Sequence, residues 1–187
     1  SVARVDRRPP HQRLTTTPGG LRWLVLLAFV WLIPAAALSL GDPPAQRIPL
    51  PLAPEAATYD LARDAQGLLY VASEREVLVF DGVRWEHIPT PGLLTRSLAR
   101  GPGGQIYVGG YNHIGVIARD RDGVLAYSDW TEHLPAPLRD RFDDVWEVCS
   151  DASNVYFRSL HQVFAFDHAG RFDGAWSAPG RFGAIAF

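Results

Sequence analysis

The chain has 187 residues, 18 arginines and no lysine, 20 acids, a single cysteine and no methionine. Five arginines and one acid fall in residues 1–37, which leaves 13 basic against 19 acidic side chains in the remainder. That acidic balance excludes the basic face of a nucleic-acid binder. The lone Cys149 excludes an internal disulfide framework and a cysteine-based zinc site.

Residues 1–20 are polar and rich in Arg and Pro, and read as disordered. Leu24 to Ile33 is an uninterrupted apolar run preceded by Arg22, broken by Pro34 and followed by Ala35-Ala36-Ala37. A basic n-region, a short h-region and small residues at the −3 and −1 positions describe a secretory signal peptide, with Ala35 and Ala37 flanking the cleavage site. The run is short for a membrane span, although extension through Leu38 and Leu40 makes an uncleaved anchor the alternative. Either way the rest of the chain is expected on the exported side. Residues 38–57 form a linker with prolines at 43, 44, 49, 51 and 54, a density that forbids helix.

From residue 58 the sequence repeats. Gly67-Leu68-Leu69-Tyr70-Val71-Ala72, Gly104-Gln105-Ile106-Tyr107-Val108-Gly109-Gly110 and Asn154-Val155-Tyr156-Phe157-Arg158 are short apolar strands. Each follows a polar turn, and each turn follows another apolar strand: Tyr59 to Ala62, Ser97 to Ala99, Val145 to Val148. The first repeat continues with Glu76 to Phe80, the Asp81-Gly82 hairpin signal and an outer strand from Arg84 to Ile88. The second continues with Gly115 to Ala118, an Asp120 to Gly123 turn and Val124 to Tyr127, then a long connection from Trp130 to Asp144. The third continues with Gln162 to Phe166, an Asp167 to Gly170 turn and a last strand towards Trp176. Its first turn, Ala152-Ser153-Asn154, has no glycine, and Asn154 is expected to take the positive φ in its place. A repeat of about 40 residues built from four short strands is the signature of a β-propeller blade.

The expected fold is therefore all-β: about three four-stranded antiparallel blades of an incomplete ring, at roughly 58–92, 93–144 and 145–180, with 181–187 opening another. Three blades do not close a ring, and a blade cannot bury both its faces alone. The chain therefore reads as a fragment that does not fold stably by itself, and the rest of its own propeller is its first expected partner. The aromatics at strand positions, among them Tyr70, Trp85, Tyr107, Trp146, Tyr156 and Trp176, are expected to pack blade against blade.

These residues carry a resemblance. Phe80 to Ile88, Gly104 to Gly115, Asp122 to Ser128, Leu134-Pro135, Phe142 to Val148 and Val155 to Ser159 resemble, in that order, bacterial two-component regulator propeller repeats at the start of triple-tyrosine-type periplasmic sensors. The resemblance implies a large periplasmic propeller, then a β-sandwich, a membrane helix and a cytoplasmic output module. That module would be a histidine kinase, a diguanylate cyclase or a transcription regulator. It also implies a dimeric full-length receptor and a small ligand, for which glycans or their breakdown products are plausible. No cofactor is expected.

No chemistry stands out. The histidines at 87, 113, 133, 161 and 168 are scattered and show no convergent metal set. Asp140, Asp143 and Asp144 lack the alternation of a calcium loop and read as a solvated stretch. Neither Ser128 nor Ser159 sits in a nucleophile elbow. Gly101 to Gly104 joins strand to strand, where a phosphate loop would open a helix. No catalytic residue and no metal ligand is assigned. Tyr111-Asn112-His113 reads as an exposed loop whose aromatic, amide and imidazole groups suit a ligand mouth, with a plain inter-strand turn as the other reading. Arg158 would pair with an acidic neighbour or a ligand. The alternatives to a sensor are an exported propeller enzyme, such as a glycosidase or lyase, and a secreted scaffold.

Overall fold

Among the described residues, twelve short strands, each with an Asp- or Gly-containing turn on at least one side, build the fold. A computed structural model describes residues 47–139 and 142–184. The leader with Ala35 and Ala37, the linker up to residue 46, and residues 185–187 lie outside the described residues.

The first sheet holds β1 (Thr58–Arg63), β2 (Leu69–Ser73), β3 (Glu76–Phe80) and β4 (Trp85–Pro89). The second holds β5 (Thr95–Arg100), β6 (Ile106–Gly110), β7 (His113–Arg119) and β8 (Leu125–Asp129). The third holds β9 (Glu147–Ser150), β10 (Asn154–Arg158), β11 (Gln162–Asp167) and β12 (Phe172–Ser177). Every sheet is four-stranded, antiparallel and ordered as in the chain. The first strands of successive sheets, β1, β5 and β9, pack side by side. This is the arrangement of propeller blades set around a common axis.

Turn chemistry sets the strand boundaries. At the β1–β2 turn the Asp64 carboxylate accepts the N–H groups of Gln66 and Leu68, both at 2.9 Å, and the Tyr70 hydroxyl at 3.2 Å. Asp151 does the same in the third blade, taking Ser153 N, Asn154 N and the Tyr156 hydroxyl. The β3–β4 hairpins repeat the device with Asp81, Asp120 and Asp167. Asparagine and aspartate fold such turns because a short side-chain oxygen reaches the backbone two residues on.

The third β1–β2-type turn corrects the sequence reading. Positive φ outside glycine occurs among the described residues only at Asn112 (53°) and Asp143 (58°), and not at Asn154. The Asp151 to Tyr156 interval is one residue shorter than Asp64 to Tyr70, and Asn154 already begins β10. The carboxylate closes that shorter turn without a left-handed residue.

The core lies between blades. Tyr70, Val77, Val79, Leu98, Ile106, Val108 and Ile117 pack blade one on blade two. Tyr107, Ile114, Trp130, Leu134, Phe142, Val145, Phe157, Phe164 and Phe166 pack blade two on blade three. Much of this second cluster comes from the described residues of the long connection. That connection carries a 3₁₀ turn (Thr131–His133) and one helical turn, α1 (Ala136–Arg139), and buries Trp130, Leu134 and Phe142. Two of these aromatics stay partly in solvent, although Trp146 still packs on Arg96 of blade two. Trp146 and Trp176 are 45% and 53% exposed, because one precedes the inner edge strand β9 and the other lies on the outer edge strand β12.

Candidate functional site

Each β2–β3-type hairpin is bonded to the segment that enters the next blade. Thr95 N donates to Glu74 O (2.9 Å), Val145 N to Gly110 O (3.1 Å) and Phe182 N to Leu160 O (3.0 Å). These hairpins and crossings therefore gather at one end of the molecule, where the inner strands begin.

Arg96 is the second residue of β5, between Thr95 and Ser97, which are both buried. Its guanidinium lies 5.0 Å from the ring centre of Tyr59 on β1 and 4.2 Å from that of Trp146 just before β9. Nη2 donates to Asp144 Oδ2 at 3.1 Å. One side chain thus touches all three blades. Stacking on two aromatic faces suits arginine, whose planar cation is weakly hydrated. Among the described residues, Arg96 Nε and Asp144 Oδ1 are buried without a partner. Beside them Glu147 accepts from Arg158 Nε at 2.9 Å. The two pairs cancel in charge, so the mouth combines an exposed indole face with fixed polar groups and no excess charge among these four.

The structure brings Tyr111, Asn112 and Arg158 to this end. Tyr111 is 39% exposed and bridges Asp144 backbone to backbone. Asn112 Oδ1 accepts the N–H groups of Phe142 (3.2 Å) and Asp143 (3.0 Å), so its amide fixes the loop that delivers Asp144 and Trp146. Arg158 is the last residue of β10, and Trp146 N donates to its carbonyl at 2.9 Å.

His113 departs from the expected exposed loop. It is the first residue of β7 and 2% exposed. Nε2 lies 3.1 Å from Leu94 O and Nδ1 3.1 Å from the Tyr127 hydroxyl. Burial lowers its pKa, with the Leu94 bond and the Asp129 charge opposing. Strand β7 begins two residues earlier than Gly115, and Gly110 lets His113 and Leu94 O approach the β6 backbone. A Cβ on Gly110 would fall on Leu94 O and His113 Nε2.

The other named aromatics have structural settings. Tyr70 and Tyr156 close the aspartate turns, Trp85 packs on Phe80 in a tilted pair with ring centres 4.8 Å apart, and Tyr107 is fully buried between blades. Burial raises the pKa of Tyr70, Tyr107 and Tyr127. Asp144 corrects the solvated-stretch reading, since its side chain is 19% exposed and paired. Sequence reasoning missed Arg96 and Tyr59. The available signal was a long cation at the second position of an inner strand, flanked by two hydroxyl residues. Among the described residues no group of three His, Cys, Asp or Glu side chains could hold a metal ion.

No protein-family model matches the chain, and no curated protein matches it. Solved structures do. Selenomethionine-substituted virginiamycin B lyase from Staphylococcus aureus is similar over 72% of this chain, with a TM-score of 0.55 and 13% identity. The extracellular domain of the putative one component system BT4673 from B. thetaiotaomicron is similar over 70% of this chain, with a TM-score of 0.50 and 17% identity. The chain spans 45% of the first protein and 18% of the second. At these identities the likeness is one of fold, and it agrees with the blade geometry: the chain is a set of β-propeller blades.

Proposed function

We propose that this chain is the amino-terminal part of an exported, ligand-sensing propeller in a membrane-bound bacterial signalling receptor. The observation that carries the reading is the likeness to the extracellular domain of a putative one component system. The inner end of the blades supports it, because a ligand seated on Trp146 and the Arg96–Asp144 pair would touch blades two and three at their inner strands, beside Tyr59 of blade one. A ligand biases a receptor by its differential affinity for two arrangements, and a site shared by several blades gives such a difference a physical source. A small polar ligand with an apolar ring face, such as a glycan fragment, suits an exposed indole flanked by paired charges. The output module would be a kinase, a cyclase or a DNA-binding regulator.

The test uses the full-length gene in its host. A periplasmic-reporter fusion after residue 184 measures export, and the receptor's own output is read across a panel of oligosaccharides. The expected result is an active fusion and an output that responds to one class of sugar and is lost in Trp146→Ala. An inactive fusion, or a Trp146→Ala receptor that responds as the parent does, overturns the reading. The likeness to a lyase supports a second reading, an exported propeller enzyme. Conversion of a panel member by the purified exported domain would favour it.

A further inference from the structure

The Arg96–Asp144 pair is made by one hydrogen bond where its chemistry allows two. In arginine, Nε–H and one N–H of Nη2 point parallel along a single edge of the guanidinium, and a carboxylate accepts both at once. Here Nη2 donates to Asp144 Oδ2 at 3.1 Å. Nε lies on that same edge and Oδ1 on that same carboxylate, and among the described residues both are buried without a partner. Each unpaired buried polar atom costs free energy, and in a folded protein it calls for a reason. A donor and an acceptor closed off from water, on two groups already joined, have each other as the nearest remedy.

Asp144 is the fixed partner. Its backbone bridges Tyr111, Val145 N donates to Gly110 O, and Asn112 Oδ1 holds the N–H groups of Phe142 and Asp143. The long Arg96 side chain is the adjustable one, and two rings hold it: Tyr59 of blade one at 5.0 Å and Trp146 at 4.2 Å. Trp146 and Asp144 both enter blade three, so the second bond draws the guanidinium towards that blade, and the contact given up is the longer one, to Tyr59. We propose that Arg96 is a two-position latch between blades. In the open position it spans Tyr59, Trp146 and one oxygen of Asp144. In the closed position it makes both bonds to Asp144 and releases blade one. One charge-assisted hydrogen bond is set against one cation–ring contact, and terms of that size leave neither position favoured by more than about a hundredfold. A ligand on the exposed indole of Trp146 meets a different neighbour in each position and so biases the latch, a step that rests on the sensing reading.

The experiment labels the arginines of the complete exported domain with ¹⁵N and follows, by NMR, the exchange of the Arg96 Nε proton with solvent; the resonance is assigned by its loss in Arg96→Lys. Tyr59→Leu removes the ring and keeps an apolar side chain against the cluster that Tyr59 borders. A ring that merely covers the guanidinium would, on removal, let the proton exchange faster. A ring that holds the latch open lets the second bond form when it is removed, and exchange slows. The expected result is slowing by about tenfold to a hundredfold in Tyr59→Leu, and likewise in Tyr59→Met should the first variant not fold. The slowing is expected to vanish when Asp144→Asn is added, because one of the two acceptor oxygens is then an amide nitrogen. Faster or unchanged exchange in the Tyr59 variants, or slowing that persists with Asp144→Asn, overturns the proposal. Neither result depends on export, ligand or output, so a failure here leaves the sensing reading standing, and a failure of that reading leaves the latch.

Discussion

The buried imidazole of His113 makes the stability of blade two depend on pH. Leu94 O accepts from Nε2–H, and the Tyr127 hydroxyl donates to Nδ1, so the folded state needs the neutral ring. Protonation would set Nδ1–H against that hydroxyl and place a charge in a site that is 2% exposed. Desolvation lowers the pKa, and the only opposing influences are the Leu94 carbonyl and Asp129. The unfolded chain takes up its proton near pH 6.5, while the folded protein does so at a lower pH. The stabilisation is therefore complete above about pH 6.5 and is lost as pH falls through the folded value, by up to about 1.4 kcal/mol per pH unit. His113→Gln keeps a donor and an acceptor but does not titrate. Thermal unfolding of the propeller-containing protein from about pH 8 to pH 5 is expected to show the parent losing about 2–4 °C more than the variant for each kcal/mol. Parallel curves of Tm against pH would refute the argument.

Three further outcomes follow from the geometry. Asp64→Ala removes the acceptor of two backbone N–H groups and of the Tyr70 hydroxyl at a site 6% exposed, and is expected to cost about 2–4 kcal/mol, against about 1 kcal/mol for Tyr70→Phe; denaturant unfolding measures both. Gly110→Ala drives a methyl group onto Leu94 O, a backbone atom that cannot rotate away, and is expected to lower stability by about 3 kcal/mol and expose His113 to solvent exchange. The Cys149 thiol is pushed up to about 11, by burial first and then by Glu147 and Asp151, so its reaction with a disulfide reagent should reach half its limiting rate near that pH. A midpoint at or below the ordinary thiol value would overturn that assignment.

The blades were legible because a propeller repeats its local chemistry. Tyr70, Tyr107 and Tyr156 mark equivalent strands, and Asp81, Asp120 and Asp167 mark equivalent hairpins, so alternation and turn residues located the strands to within a residue or two. The site was only partly legible. Asn112 and Arg158 stand out as polar residues that end an apolar strand pattern, and both lie at the mouth. Arg96 and Tyr59 were hidden because their meaning is a contact between blades, 37 residues apart in sequence, and no local period reports it. His113 was misread for a related reason. An imidazole beside two glycines resembles a loop tip until Leu94 O, from another segment, is seen to need its donor.

What breaks the repeat therefore carries information that the repeat does not. Blade two has Gly101 where blade one has Asp64, six residues before the tyrosine in both. A Cβ at Gly101 would lie 2.7 Å from the ring of Tyr107 and from the Gln105 amide, so no aspartate clip can form there. The Tyr107 hydroxyl instead accepts from Gln105 Nε2 at 2.8 Å and donates to His168 Nδ1 of the third blade at 2.6 Å, while His168 Nε2 lies 3.1 Å from Asp151 O. The bond that closes a turn within blade one becomes, in blade two, a tie to its neighbour. The long connection is the second departure from the period, and its Trp130, Leu134 and Phe142 reinforce that same junction. Both departures stiffen the contact between blades two and three. The axial mouth relies on that contact, since Arg96 comes from one side of it and Asp144 and Trp146 from the other. A site assembled across a junction keeps its geometry only as well as the junction does. The residues that depart from the repeat are thus the ones that hold the candidate site in shape.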